Sequence, residues 1–300
     1  MEGYGLTNQL LQYAITGVTV GSIYAIVAIG FNIIYNATEI INFAQGEFVM
    51  LGGLVMISLV HSAGLPMPLA FAATICVVTC VGLLMERLAV FPLRKSTVIR
   101  LVIVTIAVSI LLKGLAMFAW GKNPFALRSF SGDAPLPFFG ATVVPQTLWI
   151  VGITVVLVFL LSLFFKKTIL GKAMSACAVN PDAASLVGIK VQRMVMLSFM
   201  LSAGLGAVAG IIISPVSLME YDRGSLLGLK GFGAGILGGL GSSYGAVVAG
   251  VLLGLIESFG AGLVSSTYKD AIGLGVLLLV LFIKPSGLFG SAEVSKLKKF

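Results

Sequence analysis

Four polar side chains stand apart from the apolar sequence around them. Asn42, Gln45 and Glu47 cluster in Asn42-Phe43-Ala44-Gln45-Gly46-Glu47, and Glu257 is set in an uncharged run. Such groups can hydrogen-bond or ion-pair with a polar partner in a poorly solvated setting, and a carboxylate there needs a wet cavity or a protein partner. Glu47 has a plainer reading as an acid at a helix N-terminus, where the dipole favours it. Asn32 reads as a hydrogen-bonding contact between helices. Other chemistry lacks residues to carry it. His61 is the single histidine and has no ligand neighbours, Cys76 and Cys80 behave as small apolar residues at i, i+4 spacing, and no nucleophile–base pair emerges. Gly233-Ala234-Gly235-Ile236-Leu237-Gly238 spells G-x-G-x-x-G, but a dinucleotide site needs a βαβ unit that an apolar membrane run cannot form. No G-x-x-x-x-G-K-[ST] loop occurs, so the chain cannot by itself hydrolyse ATP in the usual way.

A second segment, Gly171–Lys190, carries clear stop signals. Asn180 suits an N-cap, Pro181 the first helical position, Asp182 the positive end of the dipole, and Gly188 the C-terminal stop. Pro181–Val187 is therefore expected to form a two-turn helix comprising Pro181, Asp182, Ala183, Ala184, Ser185, Leu186 and Val187. A helix this short is marginal in water. Docking, on its own membrane domain or on a soluble partner, would stabilise it, although amphipathic linkers are also common.

The elements that position these residues follow from composition. The 300 residues are 58% hydrophobic and only 10% charged, with a mean hydropathy of +1.10. Soluble domains carry roughly 25% charged residues. Eleven acids and nineteen bases cannot solvate a surface of this size, which excludes a soluble enzyme, a disordered chain and a disulfide scaffold. The bases gather between apolar runs rather than along one face, which argues against a nucleic-acid partner despite the net charge of +8. Membrane lipid is the expected solvent. Alternating period-2 segments are absent, so the spans are expected to be helices. Met1-Glu2-Gly3-Tyr4-Gly5-Leu6-Thr7 lacks the basic start and cleavage site of a removable signal peptide.

Uncharged runs place helices at about Gln9–Tyr35, on either side of the breakers Gly64-Leu65-Pro66-Met67-Pro68 within Phe48–Met85, and at Val98–Trp120, Gln146–Phe165 and Val191–Pro215. Arg100 and Lys113 fall near the ends of their helix, where long side chains snorkel to the interface. Leu226–Leu240, Ser242–Leu263 and Thr267–Lys284 follow. The 13 glycines of Gly224–Gly262 include the small-xxx-small pairs Gly235/Gly239, Gly241/Gly245 and Gly250/Gly254, suited to close helix packing. Met50-Leu51-Gly52-Gly53-Leu54 and Ile236-Leu237-Gly238-Gly239-Leu240 hint at an internal duplication, or at chance recurrence.

Clusters at Arg87, Arg94, Lys95 and Arg100, at Lys166, Lys167, Lys172, Lys190 and Arg193, and at Lys296, Lys298 and Lys299 are cytoplasmic candidates by the positive-inside rule. Lys122–Thr142, broken by Pro124, Gly132, Pro135 and Pro137, reads as an outside loop. These sides put the N-terminus outside and the C-terminus in the cytoplasm, which requires nine passes if the Leu226–Leu240 segment crosses and eight if it is re-entrant. The fold class expected is an all-α, polytopic helical bundle in one transmembrane domain over residues 1–300, with a broken or re-entrant glycine-rich segment.

Several motifs resemble a known family. Gly17-Val18-Thr19-Val20-Gly21-Ser22-Ile23-Tyr24-Ala25, Ile41–Glu47, Gly171–Ile189, Gly238-Gly239-Leu240-Gly241-Ser242, Tyr268-Lys269-Asp270 and Lys284-Pro285-Ser286-Gly287-Leu288-Phe289-Gly290 resemble the branched-chain amino acid permeases of bacterial ABC importers, nearest to the H-type subunit for leucine, isoleucine and valine. The resemblance runs in order over almost the whole chain. The family connector commonly reads Asn-Phe-Ala-His-Gly, whereas Gln45 stands at the histidine position here. A protonatable role is excluded there and hydrogen bonding is retained.

The resemblance implies a permease in the bacterial inner membrane that pairs with a second, similar permease. Two cytoplasmic ATP-binding subunits would drive it, and a periplasmic substrate-binding protein would deliver cargo. Asn180–Gly188 would be the coupling helix to an ATP-binding subunit. Asn42, Gln45, Glu47 and Glu257 become candidates for lining or supporting the path, with no catalytic, metal or cofactor site expected. Related permeases carry urea or short amides, so that cargo stays open. So does an ion-coupled transporter working alone, for which only Glu257 is a fair candidate acid, and a non-transporting membrane scaffold.

Overall fold

The computed structural model describes residues 5–94 and 96–290. Lys95, the tail residues Lys296, Lys298 and Lys299, and the first four residues of the amino-terminal segment lie outside the described residues. The described chain is almost entirely helical. Helices α1 (Leu6–Thr38), α2 (Gln45–His61), α3 (Met67–Met85) and α4 (Val98–Trp120) come first. Then follow α5 (Pro145–Lys167), α6 (Ile169–Val179), α7 (Pro181–Leu186) and α8 (Val191–Ile213). The set closes with α9 (Arg223–Gly238), α10 (Ser243–Leu263) and α11 (Lys269–Ile283).

Local chemistry sets many of these boundaries. Pro66 and Pro145 open α3 and α5 in positions where a missing N–H costs nothing. The hydroxyls of Thr168 and Ser242 accept from Gly171 and Gly245 backbone N–H, capping α6 and α10. Past Met85, α3 runs through a π-helical turn (Glu86–Val90) and a 3-10 turn (Phe91–Leu93), so the apolar rod continues to Leu93. The Lys122–Thr142 segment is an ordered connection: β1 (Leu136–Phe138) and β2 (Ala141–Val143) pair antiparallel, and Thr142 N–H donates to Gln12 of α1. This hairpin and an isolated antiparallel bridge between Phe125 and Met219 are the departures from an all-α reading among the described residues.

The core is built on α1, which is buried without a break from Gly21 to Ile34. A helix apolar all round belongs at the centre of a bundle. It packs antiparallel on α10 through glycines. A Cβ on Gly21 would lie 2.7 Å from Val251 Cα, and one on Gly250 would lie 2.6 Å from Ala25 N. Gly17 and Gly21 thus face Gly254 and Gly250, two small-xxx-small pairs in register. The other predicted glycine pairs act differently. Gly239 and Gly241 take left-handed backbone (φ 93° and 95°) in the α9–α10 turn, so they serve the turn rather than helix packing. Asn32 clamps this turn, donating to Ser242 O at 3.0 Å and accepting from Gly241 N–H.

The central helices include two parallel pairs. Gly52 of α2 meets Ala207 of α8 and Gly53 meets Ser214, so α2 runs parallel to α8. Gly231 of α9 meets Val27 of α1 and Gly235 lies beside Asn32, so α9 runs parallel to α1. The suggested duplication of Leu-Gly-Gly-Leu does not hold structurally: Met50–Leu54 sits within α2, whereas Ile236–Leu240 straddles the end of α9 and its turn. By contact, Gly46 of α2 is opposite Gly224 of α9.

Seven described helices are long and apolar enough to cross a membrane: α1, α3 with its extension, α4, α5, α8, α10 and α11 with the turn before it. The expected count of eight or nine is not met by these. With 17 and 16 residues, α2 and α9 reach only about 24–26 Å at 1.5 Å per residue, short of a ~30 Å hydrocarbon core. Helix α2 begins inside the bundle, whereas the first turn of α9 buries Gly224 but leaves Asp222, Ser225 and Leu226 exposed. Gln45, at the start of α2, is fully buried against Gly30 of α1 and Ser202 of α8.

Candidate functional site

The N-termini of α2 and α9 meet at Glu47. The connector before α2 is held by Asn42, whose side-chain oxygen accepts from Ala44 N–H at 3.1 Å, and by Phe43 N–H, which donates to Thr105 of α4. Helix α2 then starts against α9 with no side chain between them: a Cβ on Gly46 would collide with the Gly224 carbonyl. Glu47 is the third residue of α2 and its carboxylate reaches across to α4 and α9. Oε1 accepts from Ser109 at 2.9 Å and from Ser225 at 3.1 Å, and the Lys113 ammonium lies 4.0 Å away. Lys113 therefore turns towards Glu47 rather than snorkelling to an interface. Two helix N-termini and two hydroxyls stabilise negative charge at this point. Glu47 Oε2 has no hydrogen-bond partner, although the side chain is only 1% exposed.

Gln45 and Asn42 do different work from Glu47. The Ser202 hydroxyl lies 2.5 Å from Gln45 Oε1, and Gln45 Nε2 donates to Ser202 O at 3.3 Å. An amide offers both a donor and an acceptor for this reciprocal pair across α2 and α8. Asn42 is wholly buried and its Nδ2 is unpartnered.

Glu257, on α10, belongs to a separate ionic cluster. Its Oε2 accepts from Lys230 of α9 at 2.9 Å and from Tyr24 of α1 at 2.8 Å. Lys230 also donates to Asp270 of α11 at 2.6 Å, and Lys269 lies 4.0 Å from Glu257. Two cations thus face two carboxylates, and Lys230, Glu257 and Asp270 also line a small cavity of about 30 Å³ with Leu226 and Leu229. Lys230 went unremarked in the sequence, yet it is the only charge between Arg223 and Glu257. Isolation in an apolar run was the available signal. Ser109 and Ser225 offered none, because hydroxyls are common in such helices and only the fold brings them to Glu47.

The capped segment forms α7. The Asn180 side chain accepts from Ala183 N–H at 2.9 Å, Pro181 opens the helix, and Asp182 sits in its first turn. Gly188 takes φ 88° and ends it. Ala184 is buried, while Leu186 and Val187 are 88% and 77% exposed. Helix α6 leads into α7, so the whole stretch from Ile169 is ordered. His61 ends α2, and no group of three or more metal-ligating side chains occurs among the described residues. Gly233–Gly238 lies within α9, which removes the dinucleotide reading.

Together these features define a multi-pass helical membrane protein with charged residues sequestered between its central helices. The chain belongs to the branched-chain amino acid transport permease family: the family model described as "Branched-chain amino acid transport system / permease component" matches residues 13–281. Similarity to individual members covers nearly the full length. The chain is 35% identical to the high-affinity branched-chain amino acid transport system permease protein BraD of Pseudomonas aeruginosa, over 95% of this chain and 97% of that one. Identity to LivH of Escherichia coli K12, a permease protein of the same description, is 34% over the same shares. A probable branched-chain amino acid transport permease protein LivH of Methanocaldococcus jannaschii is 29% identical over 93% of this chain and 91% of its own.

Proposed function

We propose that the chain is the permease subunit of an ATP-driven importer that carries branched-chain amino acids across the bacterial inner membrane. Full-length similarity to permeases of that description is the observation that carries the reading. Hydrolysis of ATP belongs to two separate cytoplasmic subunits, since no phosphate loop is present in the sequence. Helix α7 is the coupling helix: its exposed Leu186 and Val187 offer an apolar knob to a groove on an ATP-binding subunit. The remaining partners are a second permease and a periplasmic binding protein that presents cargo.

The path runs along the face where α4, the connector and α9 meet. Phe43 and Ser225 are exposed there, and Glu47 lies just beneath. Polar groups on a face at this depth suit a partner or a water-filled route better than lipid. Gln45 and Asn42 support this face by bracing the start of α2, and Glu257 supports it by fixing α9 to α10. The short helices α2 and α9 complete the crossing count, entering from opposite sides as a broken pair. The basic residues around α6 and α7 support a cytoplasmic side for that end, and with it for the C-terminus.

The test is ATP-dependent leucine uptake into vesicles holding the complete complex, compared with valine, urea and polar amino acids. Leucine and valine uptake is expected. Uptake that persists after Asn180–Gly188 is replaced by a Gly/Ser linker would overturn the coupling role.

A further inference from the structure

The carboxylates buried among the helices are not equally compensated. Glu257 has an ammonium at 2.9 Å and a phenol at 2.8 Å on the same oxygen. The free oxygen of Glu86, Oε2, faces the Arg87 guanidinium at 3.9 Å. Glu47 differs from both. Its two hydrogen bonds come from neutral hydroxyls, both to Oε1, and the nearest ammonium, that of Lys113, stands 4.0 Å from that same atom. This is beyond direct hydrogen bonding. Oε2 points at the backbone of Gly224, 2.6 Å from where a Cβ there would lie, with no donor of its own. A buried carboxylate oxygen left in this state lacks a donor, and a cationic N–H is the strongest one that could fill the place.

The surroundings restrict what could supply it. Ser225 is exposed while its hydroxyl donates to Glu47, so the carboxylate lies one side chain below the surface. On the same connector the exposed Phe43 packs its ring 5.7 Å from that of Phe232 of α9, two turns beyond Ser225. A ligand that fits both parts carries a compact cation next to a branched apolar chain. We propose that Glu47 Oε2 receives the α-ammonium group of the amino acid during passage, with Phe43 and Phe232 accepting the side chain. The assignment rests on the transport reading above and adds the residue that distinguishes an α-amino acid from an uncharged cargo. Access requires α9 to shift at its N-terminus, where only Gly224 and Gly46 separate the two short helices. The ammonium then donates to Oε2, the oxygen left without a partner, and neutralises the carboxylate in transit.

The experiment uses the complete complex in detergent, cycling with ATP, and a hydrophobic carbodiimide that modifies carboxyl groups. Modification of the Glu47 peptide is read by mass spectrometry. L-Leucine is expected to slow it at least fivefold, whereas 4-methylpentanoate, with the same side chain and no ammonium, leaves it unchanged. Equal protection by both compounds, or by neither, overturns the assignment. Protection by sodium chloride equal to that by leucine, measured against choline chloride, also overturns it by showing an inorganic cation site. In vesicles, Glu47→Gln is expected to lower leucine uptake per ATP hydrolysed at least tenfold while Glu47→Asp keeps part of it. If Glu47→Gln fails to assemble, the protection measurement on the unaltered complex decides. Failure of the unaltered complex to take up any amino acid would overturn the transport reading itself, whereas normal uptake without protection overturns the assignment alone.

Discussion

Glu47 and Ser225 are 178 positions apart in sequence, yet their side chains join the first turns of two different short helices by a 3.1 Å hydrogen bond. Helix α2 begins inside the bundle, where unsatisfied N–H groups and a positive dipole end would be costly without compensation. One carboxylate serves both ends at once. The contact is possible because Gly46 and Gly224 let the backbones touch.

The glycines at this junction are not interchangeable. A Cβ on Gly224 would lie 2.6 Å from both the Gly46 carbonyl oxygen and Glu47 Oε2, whereas one on Gly228 would lie 3.0 Å from Gly46 Cα. Gly224→Ala is expected to destabilise the protein by about 1–3 kcal/mol through overpacking, and Gly228→Ala by less. Gly275 faces open space, so Gly275→Ala is expected to be neutral or to stabilise by up to ~1 kcal/mol through helix propensity. Thermal unfolding of the purified protein in detergent gives the order. A Gly224→Ala protein as stable as wild type would contradict the close junction.

The Lys230–Glu257 pair predicts strong non-additivity. Removing either partner alone strands a buried charge, at a cost of about 3–5 kcal/mol. Lys230→Met combined with Glu257→Gln removes both charges and is expected to cost clearly less than the sum. Asp270 is half exposed, so Asp270→Asn is expected to cost under ~1 kcal/mol. A double-mutant cycle on thermal unfolding measures the coupling, and additive losses would mean the pair is not energetically linked.

Exposed Leu186 separates docking from folding. Leu186→Asp is expected to change stability by no more than ~0.5 kcal/mol, because the side chain touches little of its own chain. The same substitution is expected to abolish co-purification of ATP-binding subunits. Asn180→Ala removes the cap to Ala183 N–H and is expected to loosen α7 by about 1 kcal/mol, with a milder loss of coupling. Unchanged co-purification of the Leu186→Asp protein would remove α7 from the interface.

Orientation is testable by labelling. A single cysteine at Asp133, beside the hairpin, is expected to react with an impermeant maleimide from the periplasmic side. One at Lys190, beside α7, is expected to react only after the membrane is opened. The reverse pattern would invert the topology.

Much of this organisation was legible in the sequence because it depends on local chemistry. Asn180, Pro181 and Gly188 bracket a helix by backbone hydrogen bonding alone, and Gly64-Leu65-Pro66-Met67-Pro68 parts α2 from α3 for the same reason. Apolar run length separates helices that can span a membrane from those that cannot. Membership in the permease family is shown by the family match over residues 13–281, which spans most of the motifs that carried the resemblance.

The tertiary structure decided which polar groups meet. Asn42, Gln45 and Glu47 are neighbours in sequence, but Gln45 turns to Ser202 of α8 while Glu47 turns to Ser109 and Ser225. Lys113, expected at an interface, faces Glu47, and Lys230, hidden among glycines, neutralises Glu257. Sequence can show that a charge in an apolar run must be compensated, because lipid cannot solvate it. It cannot show by what, because the compensating group arrives from a helix far along the chain, through the close approach that particular glycines permit.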